Sequence, residues 1–215
     1  MVKEIRIYIE GGGDKKDTKA RIREGFSGFL KDLVQMARSK RIKWQIIICG
    51  SRNSAFRDFQ NALEDHPDAF NVLLVDSEAP VKKTQTPWEH LKSRDNWDSP
   101  GVDDHHCHLM VQAMEAWFIA DIDTLKEFYG QGFKENSIPK ITNVETIHKD
   151  LLEPSLKAAT RDTKTKGEYQ KIKHASQLLN RLNVTKVRKA STYCDRLFTT
   201  LIQIIEDSSD NTDTE

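Results

Sequence analysis

No stretch of the chain approaches the ~18 consecutive apolar residues that a membrane-crossing helix requires, which removes integral-membrane classes of that kind. The opening MVKEIRIYIEGG passes straight into a strand pattern, with no apolar signal segment, so a cytoplasmic location is expected. Cysteine is scarce: Cys49, Cys107 and Cys194 are an odd number, widely spaced, which argues against a disulfide scaffold and for reduced thiols. Net charge is absent too, since 33 basic side chains balance 33 acidic ones, so bulk charge announces no nucleic-acid partner. There is no internal repeat. The glycine run Gly11-Gly12-Gly13-Asp14 lacks both the GxGxxG spacing of dinucleotide sites and the GxxxxGK[ST] of a phosphate loop, so neither NAD nor ATP binding follows from it.

What is present is alternation. Lys3–Ile9 is β-rich, and Asp17–Arg38 carries Ile22, Phe26, Phe29, Leu30, Leu33, Val34 and Ala37 at helical spacing. Trp44–Cys49 reads as a strand buried on both faces, Asn53–Leu63 as a helix, and Asn71–Asp76 as a third strand. Strand-helix-strand-helix-strand implies right-handed βαβ units and a parallel sheet flanked by helices, an α/β fold. The stretch 78–104, rich in Pro, Trp, Lys and Asp, is too long for an ordinary connection and is expected to border a site. Its Trp88 and Trp97 could stack on bases or, as is favoured here, pin the loop down. A helix is expected from about Val111, after a short strand at His108–Met110. Beyond Gly130 the chain turns helical and basic, with helices near Val144–Leu152, Glu168–Arg181, Val184–Lys189 and Ser191–Glu206. The division expected is an α/β core over 1–130, a helical C-terminal subdomain over 131–206 packed on it, and a disordered acidic tail over 207–215.

In parallel α/β sheets, sites form at the carboxyl ends of strands. The first strand ends at Glu10 and the third at Asp76, with Glu78 two residues on. If these strands are neighbours, three carboxylates share one sheet edge, an arrangement that a hard divalent cation such as Mg²⁺ neutralises with oxygen ligands. Glycine directly after Glu10 leaves room for a close approach to the backbone. Asp14 is a weaker candidate, equally at home as a turn residue. Glu115 lies among Met114, Trp117 and Phe118 on an otherwise apolar helical face, where a carboxylate needs a partner or a metal. Nine Lys/Arg between Arg161 and Lys189 could form either a phosphate-binding surface or a solvated helix face. Of these, Lys166, Lys171, Lys173 and His174 are candidates to meet a phosphate backbone or a leaving group, and Lys171 and His174 would share a helix face.

Ile7-Tyr8-Ile9-Glu10-Gly11 and Val75-Asp76-Ser77-Glu78 resemble the "hhhhEG" and "DxD" motifs of the Toprim fold, shared by topoisomerases, bacterial primases and nucleases of the OLD group. Glu stands here at the second DxD position. The run His108–Asp121, containing Gln112-Ala113-Met114-Glu115-Ala116-Trp117-Phe118-Ile119-Ala120-Asp121, together with Lys166-Gly167-Glu168-Tyr169, Lys171, His174 and Ser191…Cys194-Asp195-Arg196-Leu197-Phe198, is similar to an RloB-like, Toprim-related group of unknown function. The resemblance implies a nuclease dependent on Mg²⁺ or Mn²⁺ that hydrolyses phosphodiesters of DNA or RNA. It implies a metal held by Asp76 and Glu78, with Glu10 as a further ligand or as general base toward water; Glu115, from its apolar surroundings, is expected as a metal ligand or as an acid behind the ligands. It further implies an ABC/AAA-type ATPase partner in bacterial anti-phage defence, or alternatively a non-catalytic subunit that docks to and regulates that ATPase. A HAD-like hydrolase is disfavoured because Glu10 stands where its nucleophilic Asp would be. His105-His106-Cys107-His108 lacks the separated ligand pairs of a structural zinc site. Cysteine-protease chemistry has no support from Cys49 or Cys194, which fall on a buried strand and in a helix.

Overall fold

The computed structural model describes residues 2–208; the expected acidic tail lies, from 209 onward, outside the described residues. In chain order the elements are β1 (Glu4–Glu10), α1 (Lys16–Phe29), α2 (Lys31–Ser39), β2 (Lys43–Gly50), α3 (Arg52–Asp65), β3 (Phe70–Asp76), α4 (Pro87–Asp95) and β4 (Cys107–Met110). They continue with α5 (Glu115–Ile119), α6 (Ile122–Tyr129), α7 (Lys149–Thr160), α8 (Lys171–Leu179), α9 (Val184–Ala190) and α10 (Thr192–Asp207).

The four strands form one all-parallel sheet in the order β2-β1-β3-β4. Alternation along each strand sends side chains to opposite faces. Ile5, Ile7, Ile9, Val72 and Leu74 join one apolar cluster with α1, α2 and the helices after β4. Tyr8, Leu73 and Val75 join another with Ala55 and Phe59 of α3 and Trp88 of α4. The result is a sheet with helices on both faces. The larger cluster is continuous from Ile5 to Ile205 and includes α7, α8 and α10, so residues from 131–206 share the apolar interior of the sheet. At its centre Trp117 stacks on Phe29 with ring centroids 5.0 Å apart. Among the described residues no helix is long and apolar enough to cross a membrane.

Local outcomes differ from the sequence expectation in several places; the helix expected near Val144–Leu152 begins only at Lys149 and runs to Thr160, after one 3₁₀ turn at Val144–Thr146. The first long helix is two helices, broken at Leu30 (φ −97°, ψ 14°). No helix starts at Val111, because the chain keeps running beside β3: the Ser77 N–H donates to the Met110 carbonyl at 2.9 Å and the Glu78 N–H to that of Gln112 at 2.8 Å. Helix begins only at Glu115. The loop 78–104 contains α4, opened by a capping box in which Thr86 and Glu89 each bond the other's backbone N–H, with Pro87 at the first helical position. Trp88 is buried and Trp97 stacks on Phe56 at 4.3 Å, so both tryptophans fasten the loop.

α8 lies close against α1. Gly25 and Gly28 face it, and a Cβ on Gly25 would come within 2.8 Å of the Ser176 backbone. That close approach delivers the N-terminus of α8, and therefore Lys171, to the end of the sheet where β1 and β3 finish.

Candidate metal centre

β1 and β3 are hydrogen-bonded neighbours, with Ile9 opposite Leu74. Their parallel pairing carries Glu10 and Asp76 to the same edge, and Glu78 follows immediately. Ligand-capable oxygens of Glu10, Asp76 and Glu78 all lie within 4.8 Å of one another, close enough for one cation to bridge them.

Each acid is held differently. Asp76 is buried, and its Oδ1 accepts the Met114 N–H at 2.8 Å. Glu10 Oε2 accepts the Asp76 N–H at 3.3 Å and takes a 3.1 Å ion pair from Arg52. Arg52 also donates to the Asp76 carbonyl, forks across both Asp95 oxygens at 3.0 and 2.7 Å, and lies 5.0 Å from the Trp97 ring centroid. Glu78 is paired with Lys149 and, at 3.3 Å, with Arg94. Its backbone has φ +65°, a left-handed conformation that strains a residue with a Cβ and is concentrated at functional sites.

Burial raises the Asp76 carboxyl to about 7; Lys171 opposes that rise, Glu10 and Glu115 add to it, and the Met114 N–H opposes it. Burial likewise raises Glu10, with Arg52 opposing and Glu78 adding. Burial alone would lower the Lys171 ammonium, but Asp76, Glu115 and Glu10 surround it and hold its pKa above the ordinary value. A crowd of acids that suppresses its own ionisation is a place where added positive charge is stabilised.

The glycine turn has a conformational reason. Gly11, Gly12 and Gly13 have φ of +135°, +80° and +56°, a succession closed to other residues without strain. A Cβ on Gly12 would press on Ile48 and Lys19 at 3.0–3.2 Å, whereas one on Gly11 or Gly13 would meet nothing within 4 Å. The turn therefore packs at its middle and stays open on either side, toward a cavity of about 200 Å³ bounded also by Asp76 and Lys171.

Glu115 is buried, but outside the cluster of three: Tyr169 Oη donates to it at 3.2 Å and Lys171 pairs with it at 3.0 Å. Its direct partners are these two groups, and Lys171 joins it electrostatically to Asp76. Lys166 and His174 are not brought to the acids. Lys166 sits over the Phe128 ring at 4.6 Å and reaches Gln177. His174 points inward, its Nδ1 bonded to Tyr129 Oη at 3.0 Å. Lys173 is exposed, and Asp14 lies on the exposed side of the glycine turn. Asp121 serves structure: it caps α6 and accepts from the Asn183 N–H and Lys186.

In the His105–His108 run, His106 bonds the Asn71 carbonyl, His108 lies buried against Arg196 and the His105 carbonyl, and His105 pairs with Asp103. The side chains diverge. Sequence reasoning missed Arg52, Arg94 and Lys149. Arg52, directly after the Ser51 cap of α3 at a strand's carboxyl end, and Arg94, inside the loop expected to border a site, had positions that could have drawn notice; Lys149, from a remote segment, had none.

No curated protein and no solved structure matches the chain. One family description, a domain of unknown function (DUF4276), matches residues 9–202, a span that includes Glu10, Asp76, Glu78, Glu115 and Lys171. The chain belongs to the DUF4276 family.

Proposed function

We propose that this chain is a Toprim-like, metal-dependent phosphodiester hydrolase acting on DNA or RNA, with an ABC/AAA-type ATPase as partner in anti-phage defence. The observation that carries the catalytic part is the convergence of Glu10, Asp76 and Glu78 at the carboxyl ends of two adjacent parallel strands. The donor set suits Mg²⁺ or Mn²⁺: it is all carboxylate oxygen, with neither thiolate nor imidazole. When bound, such an ion supplies Lewis-acid charge at a phosphate oxygen and makes a coordinated water more acidic. The protein's own work is orientation. The Met114 N–H fixes Asp76 and Arg52 aims Glu10, which stands at the edge of the site as a ligand or as a general base toward water. Lys171, with nearly half of its side chain exposed (46%), presents a cation on the open side, where a phosphate would approach. The ATPase partner and the defence role come from the motif resemblance.

One observation favours a second reading, the non-catalytic docking subunit: the acids already have partners in Arg52, Lys149, Arg94 and Lys171. Calorimetry with Mn²⁺, followed by cleavage assays on plasmid, single-stranded DNA and tRNA, separates the two. A hydrolase binds Mn²⁺ and cuts, and both properties disappear in Asp76→Ala while the circular dichroism spectrum is retained. A chain that neither binds Mn²⁺ nor cuts, yet co-purifies with an ATPase, is the docking subunit.

A further inference from the structure

The cavity beside the acids is made of two unlike halves. Asp76 and Lys171 give it a charged wall, while Ile22, Met110, Met114 and Ile172 give it an apolar one. Ile22, Met110 and Met114 are the edge of the buried core, so the cavity has an apolar floor that hydrates neither a phosphate nor a metal ion, and Ile172 extends it outward. Ile172 is 68% exposed and ranks with Leu151 and Ile141 among the exposed large apolar residues, so its side chain is apolar surface at the open side of the cavity, awaiting cover. At about 200 Å³ the space is somewhat larger than an apolar cavity of roughly 150 Å³ that accepts benzene, and below the ~300–1,000 Å³ of sites for drug-sized ligands. It has room for a single ring system.

A phosphate-and-metal wall facing an apolar slot for one ring is the complement of one nucleotide. We infer that this cavity is a nucleobase subsite: it receives one unstacked base while the adjoining phosphate lies against Lys171 and the acids. The inference rests on the phosphodiesterase reading and narrows its substrate. A base inside a duplex is stacked and paired and cannot enter without being extruded. The substrate class is therefore unpaired nucleic acid, either a single strand, a loop or a frayed end.

Calorimetry on the full chain in Mn²⁺ tests this with a nucleoside 5′-monophosphate, ribose 5-phosphate and inorganic phosphate. None contains a diester, so binding is read without turnover. The nucleotide is expected to bind roughly tenfold more tightly than ribose 5-phosphate, because its ring alone buries apolar surface. Ile22→Phe, which fills the slot from α1, should shrink that advantage to about twofold while leaving Mn²⁺ binding intact. Ile172→Ser, at an exposed position that folding tolerates, should weaken the nucleotide about threefold and spare ribose 5-phosphate. Mn²⁺ binding with equal affinities for nucleotide and ribose 5-phosphate overturns the subsite and leaves the metal centre standing. An advantage that survives both variants also overturns it. Absence of Mn²⁺ binding strikes the metal reading itself, and this inference falls with it.

Discussion

Replacing Asp76 by Asn should make the metal-free protein more stable while removing its response to divalent ions. Asn keeps the acceptor for the Met114 N–H, now at 2.8 Å, and introduces no charge. In the wild type the carboxyl rises from 3.8 to about 7, which is worth ~4 kcal/mol against the ionised form at pH 8. That value already includes the attraction of Lys171, so the cost on the other side is the Asn amide itself, whose N–H groups must be satisfied in a buried site at about 1–3 kcal/mol. The net gain expected is roughly 1–3 kcal/mol, or several degrees of Tm for a chain of this size. The direction with pH follows from the raised value. Wild-type stability from this group is complete below 3.8 and lost as pH rises through about 7, so the advantage of Asn grows across that interval and levels off above it. Thermal unfolding in EDTA at pH 4.5 and pH 8, then at pH 8 with Mn²⁺, reads all of this. A variant less stable than wild type at pH 8 in EDTA, or one with the same margin at both pH values, refutes the argument that burial and neighbouring acids strain this carboxylate.

Arg52→Ala should cost about 3–5 kcal/mol in urea unfolding, because it strands Glu10 and Asp95, whose side chains are only 18% and 12% exposed. Arg52→Lys should not restore that loss, since a lysine cannot fork across Asp95. Gly25→Ala should lower stability by roughly 1–3 kcal/mol, because its Cβ would meet backbone atoms of Ser176 at 2.8 Å; calorimetric unfolding checks it. Cys49, Cys107 and Cys194 are all buried and unpaired, and burial raises all three thiols, Cys49 to about 12. A thiol reagent at pH 8 should label them only after denaturant is added, and rapid labelling of the native chain would contradict the packing.

The sheet was legible because β1, β2 and β3 are short apolar runs separated by helices with clear periodicity. The pairing of β1 with β3 was not: nothing in either strand states its neighbour, and the acid cluster depended on that condition. The helix expected from Val111 failed because 3.6-residue spacing cannot register that Met110 and Gln112 are still bonding Ser77 and Glu78. α4 could have been found, since Thr86-Pro87-Trp88-Glu89 spells a capping box with proline at the first turn. Glu115 was correctly expected to be buried, yet the identity of its partners, Tyr169 and Lys171, lay beyond the reach of local pattern. For Lys171 and His174, shared helix spacing was a poor guide: one stands at the first residue of α8 in an acidic field, the other turns into an aromatic interior.

The glycine-lined seam between α1 and α8 has a consequence in time. Glu10, Asp76 and Glu78 leave the ribosome well before Lys171, which becomes available only when α8 can dock on Gly25 and Gly28. Until then the cavity lacks both its cation and the Ile172 wall. The acids and their cation are therefore brought together only where α8 packs on α1, and the site is complete only once the later helices have closed over the sheet.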